Sequence, residues 1–144
     1  MPITDDDGLR DLLAAETIAV VGCSTTEGKP AHDVPKYLQE HGYRVIPINP
    51  YADEILGERA YDSLADVEET IDLVDVFRPS EETPAIVANV VERHEQRGDA
   101  GAVWLQLGIE SDEAAARAEA AGLDFVQDHC IKVEHDRLQG SATQ

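Results

Sequence analysis

The segment from Gly22 to Lys29 combines glycines, hydroxyl side chains and a lysine between a strand pattern and a helix pattern. It follows the apolar run Thr17 to Val21 and precedes a helical pattern that starts near Ala31. A loop in this position presents backbone N–H groups and the positive end of a helix dipole, which together bind phosphate. The candidate contacts are Gly22, Cys23, Ser24, Thr25 and Lys29.

This loop departs from the two standard nucleotide motifs. The phosphate loop of nucleotide hydrolases has four residues between its glycines and then Lys-Ser/Thr, whereas here five residues intervene and a proline follows the lysine. The dinucleotide fingerprint requires a glycine at the position of Ser24 and an acid at the end of the second strand. The second strand here ends in Asn49-Pro50, so both features are missing. The loop therefore favours a phosphorylated ligand, but neither ATP hydrolysis nor NAD binding. The alternative that this loop has only a structural role, with Lys29 hydrated by solvent, is not excluded by the sequence.

Residues suited to covalent or metal chemistry are few. The last glycine of the Gly-x-Ser-x-Gly hydrolase elbow is missing, so Ser24 is not predicted to be a nucleophile. A helix dipole could activate Cys23, but packing of a small residue beneath a phosphate-binding loop is the better interpretation. The potential ligands His129, Cys130 and His135 lack the paired spacing of a structural zinc site. The sequence thus predicts no catalytic residue and no metal site.

Strands and helices that alternate along the chain must position this loop. Helices of ten or more residues between strands require a parallel sheet with right-handed crossovers. We predict a single α/β domain over residues 1–144, Rossmann-like and doubly wound, with a mainly parallel sheet of about five strands and helices on both faces. The predicted strands are 17–21, 44–48, 72–77, 101–106 and 123–126, and the predicted helices are 31–41, 80–97 and 111–121, with a lead-in helix at about 5–15 and a tail at about 136–144.

In open sheets of this kind, ligands bind outside the carboxyl ends of the strands. Lys29 and Arg78 are the cations that the predicted topology brings to this edge. The four segments predicted to lie there are Gly22 to Lys29, Asn49-Pro50, Phe77-Arg78-Pro79 and Gln106-Leu107-Gly108.

The composition restricts the partners. Thirty acidic residues against eleven Lys and Arg give a net charge of −19, which opposes binding to nucleic acid or to an anionic membrane. A surplus of carboxylates with three Lys and eight Arg is typical of halophilic proteins, since concentrated salt screens the repulsion. Two cysteines and no apolar run of about 18 residues predict a cytoplasmic protein with reduced thiols.

Several strings in this sequence resemble one known family. They are similar to the small stand-alone CoA-binding domain proteins, and to the CoA-binding domain of the succinyl-CoA synthetase alpha subunit and of NDP-forming acyl-CoA synthetases. The resemblance extends from about residue 17 to residue 138. The strings that carry it are Ile18 to Ser24, Tyr37-Leu38, Gly42 to Pro50, Glu54 to Gly57, Tyr61 to Leu64, Val74 to Pro79, Val103 to Ile109 and the Cys130 region.

The resemblance implies a Rossmann-like domain that binds CoA or acyl-CoA along the strand ends. By position, the loop from Gly22 to Thr25 would hold the phosphates and Asn49-Pro50 would border the nucleotide. Phe77-Arg78-Pro79 and Gln106-Leu107-Gly108 would line the path towards the pantetheine. The sequence departs from the family at two places. The family usually has alanine at the position of Cys23, and it has a serine-containing stretch near Ala31-His32.

The leading hypothesis from the sequence is non-catalytic binding of CoA or acyl-CoA. The histidine that is phosphorylated in the synthetases belongs to a separate domain for which this chain has no room, so acyl-CoA synthesis by this chain alone is not expected. The alternative is a CoA-using enzyme or synthetase subunit that acts with a partner chain. A homodimer, and a mixed disulfide between the CoA thiol and Cys23 or Cys130, are further hypotheses.

Overall fold

Five short runs rich in β-branched and aliphatic residues form one parallel sheet in the computed structural model, which describes residues 2–140. A separate antiparallel hairpin pairs two strands of two residues each. The sheet order is β2-β1-β5-β6-β7. The strands are β1 (Thr17–Val21), β2 (Arg44–Ile48), β3 (Glu54–Ile55), β4 (Glu58–Arg59), β5 (Leu73–Val76), β6 (Ala102–Leu105) and β7 (Asp124–Val126).

Helices cover both faces of the sheet. Side chains of α3 and α4 pack on one face, where Val87 and Ala118 belong to the same apolar cluster as Val74 and Val103 of the sheet. Side chains of α1, α2 and α5 pack on the other face around Trp104. The predicted doubly wound, Rossmann-like α/β fold is therefore confirmed. The helices are α1 (Asp6–Leu13), α2 (Pro30–Glu40), α3 (Thr83–Arg97), α4 (Asp112–Ala120) and α5 (Ile131–His135).

The strand order reverses at β1. The chain leaves β1 to form β2 on one side, and later returns to form β5 on the other side. Val20 of β1 accordingly lies opposite Pro47 of β2 and Asp75 of β5. Pro47 lacks an N–H group and is tolerated because β2 is an edge strand. The reversal leaves a crevice outside the carboxyl ends of β1 and β5, which is where open α/β sheets bind ligands.

Two elements were not expected from the sequence. The hairpin of β3 and β4 turns through Leu56 and Gly57, both at positive φ (56° and 76°), and strands of two residues have no readable periodicity. Helix α5 forms near the carboxyl end of the chain and continues as a π-helical turn, Asp136–Gly140, that buries Leu138. Residues 136–140 of the predicted tail are thus helical, and residues 141–144 lie outside the described residues.

A buried arginine holds the connection between the hairpin and β5. Arg93 of α3 is 4% exposed and donates to the backbone carbonyl oxygens of Leu64, Val67 and Glu69. Its guanidinium also pairs with both carboxylate oxygens of Asp99, at 2.9 and 3.0 Å. Every charge that is removed from water here is therefore paired or hydrogen-bonded, as burial requires. None of the helices in residues 2–140 is long and apolar enough to span a membrane.

Candidate functional site

A cleft with a volume of 560 Å³ opens at the carboxyl ends of β1, β2 and β5. It lies at the reversal of strand order, where the fold predicts a ligand. The structure brings eight of the predicted site residues together in this cleft: Gly22, Cys23, Ser24, Lys29, Asn49, Pro50, Phe77 and Arg78.

Five predicted residues do not line the cleft. Thr25 is exposed on the loop after β1, and Pro79 directly follows the cleft residue Arg78. Gln106 is buried at the end of β6, where its side-chain oxygen accepts a hydrogen bond from the N–H of Ile131 at the start of α5 (3.1 Å). The remaining two are Leu107, which is 69% exposed, and Gly108, whose N–H donates to Asp128 (2.7 Å).

The reason for this separation is the sheet order. Strand β6 lies beyond β5, so β5 separates its carboxyl end from the reversal at β1. Its last residues contact the segment that leads from β7 into α5, and they support that segment instead of the cleft. The predicted place of Gln106, Leu107 and Gly108 along a ligand path therefore stays a prediction.

Gly22 occupies a position where no side chain fits. Its φ is +84°, and a Cβ atom there would lie 2.8 Å from the carbonyl oxygen of Phe77 and 2.9 Å from Cδ of Arg78. The N–H of Gly22 donates to the carbonyl oxygen of Ile48 (3.1 Å), and the N–H of Phe77 donates to that of Val21 (2.8 Å). The ends of β1, β2 and β5 are thereby held together with the backbone exposed at the cleft.

The loop after Gly22 leaves donors unused. The hydroxyl of Ser24 accepts a hydrogen bond from the N–H of Thr26 (3.0 Å), so Ser24 satisfies one amide of the turn. The N–H groups of Cys23 and Thr25, in contrast, donate no hydrogen bond to any residue between 2 and 140. Helix α2 begins immediately beyond, with Lys29 at its N-cap and an unpaired ammonium group in the described part of the chain. Cys23 is fully buried, so the donors that an anion can reach are the N–H of the exposed Thr25 and the ammonium group of Lys29.

Asn49 connects two of the loops that form the cleft. Its side-chain amide donates to the carbonyl oxygen of Cys23 (2.9 Å), and its side-chain oxygen accepts from the N–H of Tyr51 (2.7 Å). Its own N–H donates to the carbonyl oxygen of Tyr61 (2.8 Å). Both polar groups of the side chain are used within the protein, so Asn49 positions the loops.

Arg78 is paired inside the cleft. Its Nε and Nη2 atoms donate to the two carboxylate oxygens of Glu82, at 3.0 and 2.8 Å. These hydrogen bonds hold the pKa of the Glu82 carboxyl below its usual value. Both side chains remain about half-exposed. Arg78 therefore has a carboxylate partner, whereas the sequence indicated only a cation at a strand end.

Cys23 packs beneath the loop. The residue is fully buried, and burial, with a smaller contribution from the neighbouring Asp75, raises the pKa of its thiol to about 12. Asp75 itself is fully buried, and neither of its carboxylate oxygens has a hydrogen-bond partner in residues 2–140. Burial raises the pKa of Asp75 well above its usual value. This environment favours a packing role for Cys23 over an activated thiolate.

Seven further residues line the cleft that the predicted site did not include: Val21, Ala31, Ile48, Tyr51, Asp62, Glu82 and Ile86. Tyr51 is 95% exposed at the rim. Asp62 reaches the end of β2 because Tyr61 forms a parallel bridge with Ile48. The dinucleotide motif has its acid directly after the second strand, whereas Asp62 comes from a later segment of the chain. The i, i+4 spacing of Arg78 and Glu82 was the available signal for their pairing.

The histidines and the cysteine once considered as metal ligands have other partners. His135 forms a 2.7 Å hydrogen bond with the hydroxyl of Tyr37, and His129 forms one of 2.6 Å with the carbonyl oxygen of Gln127. Cys130 is half-buried at the N-cap of α5. Within residues 2–140, no three His, Cys, Asp or Glu side chains are grouped as metal ligands.

The chain is similar to small proteins that it covers almost completely and to larger enzymes of which it covers only a part. YneT of Bacillus subtilis (strain 168) is 39% identical over 124 residues, which cover 86% of this chain and 88% of YneT. The ADP-forming acetate–CoA ligase II of Archaeoglobus fulgidus is 32% identical over 128 residues, which cover 87% of this chain but 18% of the ligase. The chain thus spans less than a fifth of that enzyme.

Solved structures and a family profile agree with these matches. The structure of cell-free ID.343 from Thermus thermophilus is 42% identical with a TM-score of 0.85, covering 94% of this chain and 99% of that one. A protein from Pyrococcus horikoshii OT3 is 36% identical with a TM-score of 0.88, covering 97% of each chain. The sequence profile described as "CoA binding domain" matches residues 16–136. This chain therefore belongs to the CoA binding domain family.

Proposed function

We propose that this protein binds CoA or acyl-CoA, without transforming it, in the cleft at the ends of β1, β2 and β5. The observation that carries the proposal is the close backbone approach at Gly22, where a Cβ atom would lie 2.8 Å from the carbonyl oxygen of Phe77. Next to it, the N–H of the exposed residue Thr25 is unused within residues 2–140, and it is available to the pyrophosphate of the ligand.

Local charge supports binding of a small anion despite the acidic surface. Lys29 and Arg78 line the cleft together with the carboxylates of Asp62 and Glu82. Glu82 is paired with Arg78, and Lys29 is the lining cation without a partner in residues 2–140. Phosphate groups bound there would lie within a few ångströms of these cations, whereas concentrated salt screens the more distant carboxylates over about 3 Å at 1 M. We therefore propose that the protein works in a salt-rich cytoplasm, where its net charge of −19 does not prevent CoA binding.

The chemistry of the cleft supports binding without catalysis. The Cys23 thiol is buried, and its pKa of about 12 keeps it protonated at neutral pH. The Glu82 carboxylate is bound to Arg78, and the Ser24 hydroxyl already accepts a backbone hydrogen bond. An activated nucleophile with an adjacent base, which acyl transfer requires, is therefore not part of the proposal.

The ligase relatives support a second candidate function. ADP-forming acetate–CoA ligases match this chain over a small part of their length, and the ligase II alpha subunit of Pyrococcus furiosus (strain ATCC 43587) matches with 29% of its length. This chain would then supply the CoA-binding part of an enzyme completed by a partner chain. Turnover of acyl-CoA by the purified protein, or a partner that co-purifies with it, would favour this candidate.

Isothermal titration at high salt with CoA, dephospho-CoA and NAD tests the leading proposal. We expect heat from CoA and none from NAD. Dephospho-CoA measures how much the 3′-phosphate contributes to the affinity. An absence of heat with millimolar CoA would overturn the proposal.

A further inference from the structure

The Arg78 guanidinium, which lines the cleft, is already occupied by a carboxylate of the same chain. We propose that Glu82 is an internal competitor for Arg78, which a phosphorylated ligand must displace, and that Glu82 thereby sets the anion affinity of the cleft. This inference rests on the proposed function, because it concerns the same cleft and the same ligand class. The proposed function concerns residues that favour anion binding, and Glu82 would be a residue in the same cleft that opposes it.

The geometry of the pair supports competition. Nε and Nη2 of Arg78 each donate to a separate oxygen of Glu82, at 3.0 and 2.8 Å. This two-donor edge is also the one that arginine presents to a phosphate group. Glu82 and a phosphate therefore cannot both occupy it.

Arg78 and Glu82 both lie in the cleft where the phosphate groups are proposed to bind. The Arg78 side chain crosses the end of β1, since its Cδ would lie 2.9 Å from a Cβ on Gly22. Glu82 lines the same cleft. A phosphate at the Gly22 loop therefore lies next to the guanidinium and also next to the competing carboxylate, which repels it.

Exchange of partners is feasible because both side chains contact solvent. They are 46% and 47% exposed, and pairs of this kind stabilise a protein little. A displaced Glu82 would be hydrated instead of buried and unpaired, so its release does not carry the large penalty of an isolated buried charge. The pyrophosphate of CoA carries two negative charges in total against one on a carboxylate, and is therefore the stronger partner for Arg78.

Glu81 provides a matched control. It is the residue before Glu82 in the same short turn at the start of α3, Ser80–Glu82. Its side chain is exposed and has no hydrogen bond or ion pair within residues 2–140. Glu81→Gln and Glu82→Gln each remove one negative charge at adjacent positions before α3, and the side chain of Glu82, the N-cap residue, makes no capping hydrogen bond. Only Glu82→Gln frees Arg78.

The test measures affinities for CoA and for inorganic pyrophosphate by isothermal titration at one fixed salt concentration. We expect Glu82→Gln to bind both probes about fivefold more tightly, the size expected for loss of one exposed competing ion pair, and Glu81→Gln to change affinity less than about twofold. In an Arg78→Gln background, Glu82→Gln should have no more effect than Glu81→Gln. Urea unfolding verifies that each variant is folded.

The outcomes separate this inference from the proposed function. If the parent protein binds CoA and both glutamine variants have the same affinity, CoA binding stands and competition by Glu82 is overturned. If Glu82→Gln binds pyrophosphate more tightly than Glu81→Gln while no variant binds CoA, competition stands and the CoA proposal is overturned. If no variant binds either probe at millimolar concentration, both are overturned.

Discussion

The side-chain amide of Asn49 donates a hydrogen bond to the carbonyl oxygen of Cys23, 2.9 Å away, and so joins the loop after β2 to the loop after β1. Because the other end of the Asn49 side chain accepts from the N–H of Tyr51, one side chain determines the relative position of two walls of the cleft. Asn49 therefore fixes the position of the loop after Gly22, although its own side-chain polar groups are already hydrogen-bonded within the protein.

Asn49→Asp tests this relationship. The new carboxylate still accepts from Tyr51, but it replaces the donor to Cys23 with an oxygen that repels the carbonyl oxygen. We expect a loss of about 1–2 kcal/mol in the free energy of unfolding and weaker CoA binding, measured by urea unfolding and titration. Asn89→Asp is the control, since Asn89 is exposed and has no hydrogen-bond partner in the described residues. Equal losses in the two variants would contradict a positioning role for Asn49.

Gly22→Ala is expected to destabilise the fold and to abolish CoA binding. Ala at positive φ costs about 1–2 kcal/mol, and collision with the Phe77 carbonyl oxygen adds about 1–3 kcal/mol. Gly122→Ala is the matched control, because its φ of +77° is close to the +84° of Gly22 while its Cβ would meet nothing within 4 Å. Urea unfolding should give a smaller loss for Gly122→Ala, and that variant should keep CoA binding. If the two variants lose the same free energy of unfolding, the close approach of the Phe77 carbonyl oxygen to Gly22 does not explain the effect of Gly22→Ala.

Lys29→Glu is expected to weaken CoA binding at least tenfold, which is about 1.4 kcal/mol. The substitution replaces an attractive charge at the cleft with a repulsive one. It should not destabilise the fold, since a carboxylate is favourable at the N-terminus of α2. Lys36→Glu makes the same charge change on the exposed side of α2, away from the residues that line the cleft. If both variants bind CoA with the same affinity, Lys29 does not contact the ligand.

The sequence predicted the sheet well because its strands are apolar β-branched runs that end at glycine or proline. Thr17 to Val21 ends at Gly22, and Arg44 to Ile48 ends before Asn49-Pro50. The β3–β4 hairpin was missed because its strands have two residues each and its turn places Leu56, a residue without turn preference, at positive φ.

The site was harder to predict because sequence gives strand ends but not strand order. The carboxyl end of β6 was predicted at the same edge of the sheet as the ends of β1 and β5, but its separation from β1 by β5 depends on the strand order. Gln106 stays a predicted ligand contact, and its side-chain oxygen also accepts a hydrogen bond from the N–H of Ile131 at the start of α5, which the sequence did not indicate. Asp62 was missed because its position depends on the bridge between Tyr61 and Ile48, which joins separate segments.

Asp75→Asn should change how stability depends on pH. The folded-state pKa of Asp75 is raised well above the usual 3.8, so above about pH 3.8 the unfolded chain ionises while the folded chain keeps the proton. The parent protein therefore loses about 1.4 kcal/mol per pH unit from this group as pH rises towards the folded-state pKa. Asparagine carries no such proton, so Asp75→Asn should gain stability relative to the parent as pH rises.

Urea unfolding of Asp75→Asn and its parent at pH 5 and pH 8 checks this expectation. The difference in free energy between variant and parent should be larger at pH 8. Asp124→Asn is the control, because Asp124 lies on β7 with its side chain exposed and without a hydrogen-bond partner among residues 2–140. A difference that is the same at both pH values would show that Asp75 is ionised in the folded protein.

The two cysteines are expected to differ in reactivity. Cys23 is fully buried and its thiol pKa is about 12, so little thiolate forms at neutral pH and reagents cannot reach it. Cys130 is half-buried at the start of α5 and is the more accessible thiol. Mass analysis of protein purified without reductant and incubated with CoA disulfide should therefore show any adduct on Cys130 alone. The adduct should be absent in Cys130→Ser and unchanged in Cys23→Ala, and an adduct on Cys23 would mean that the loop after β1 opens in solution.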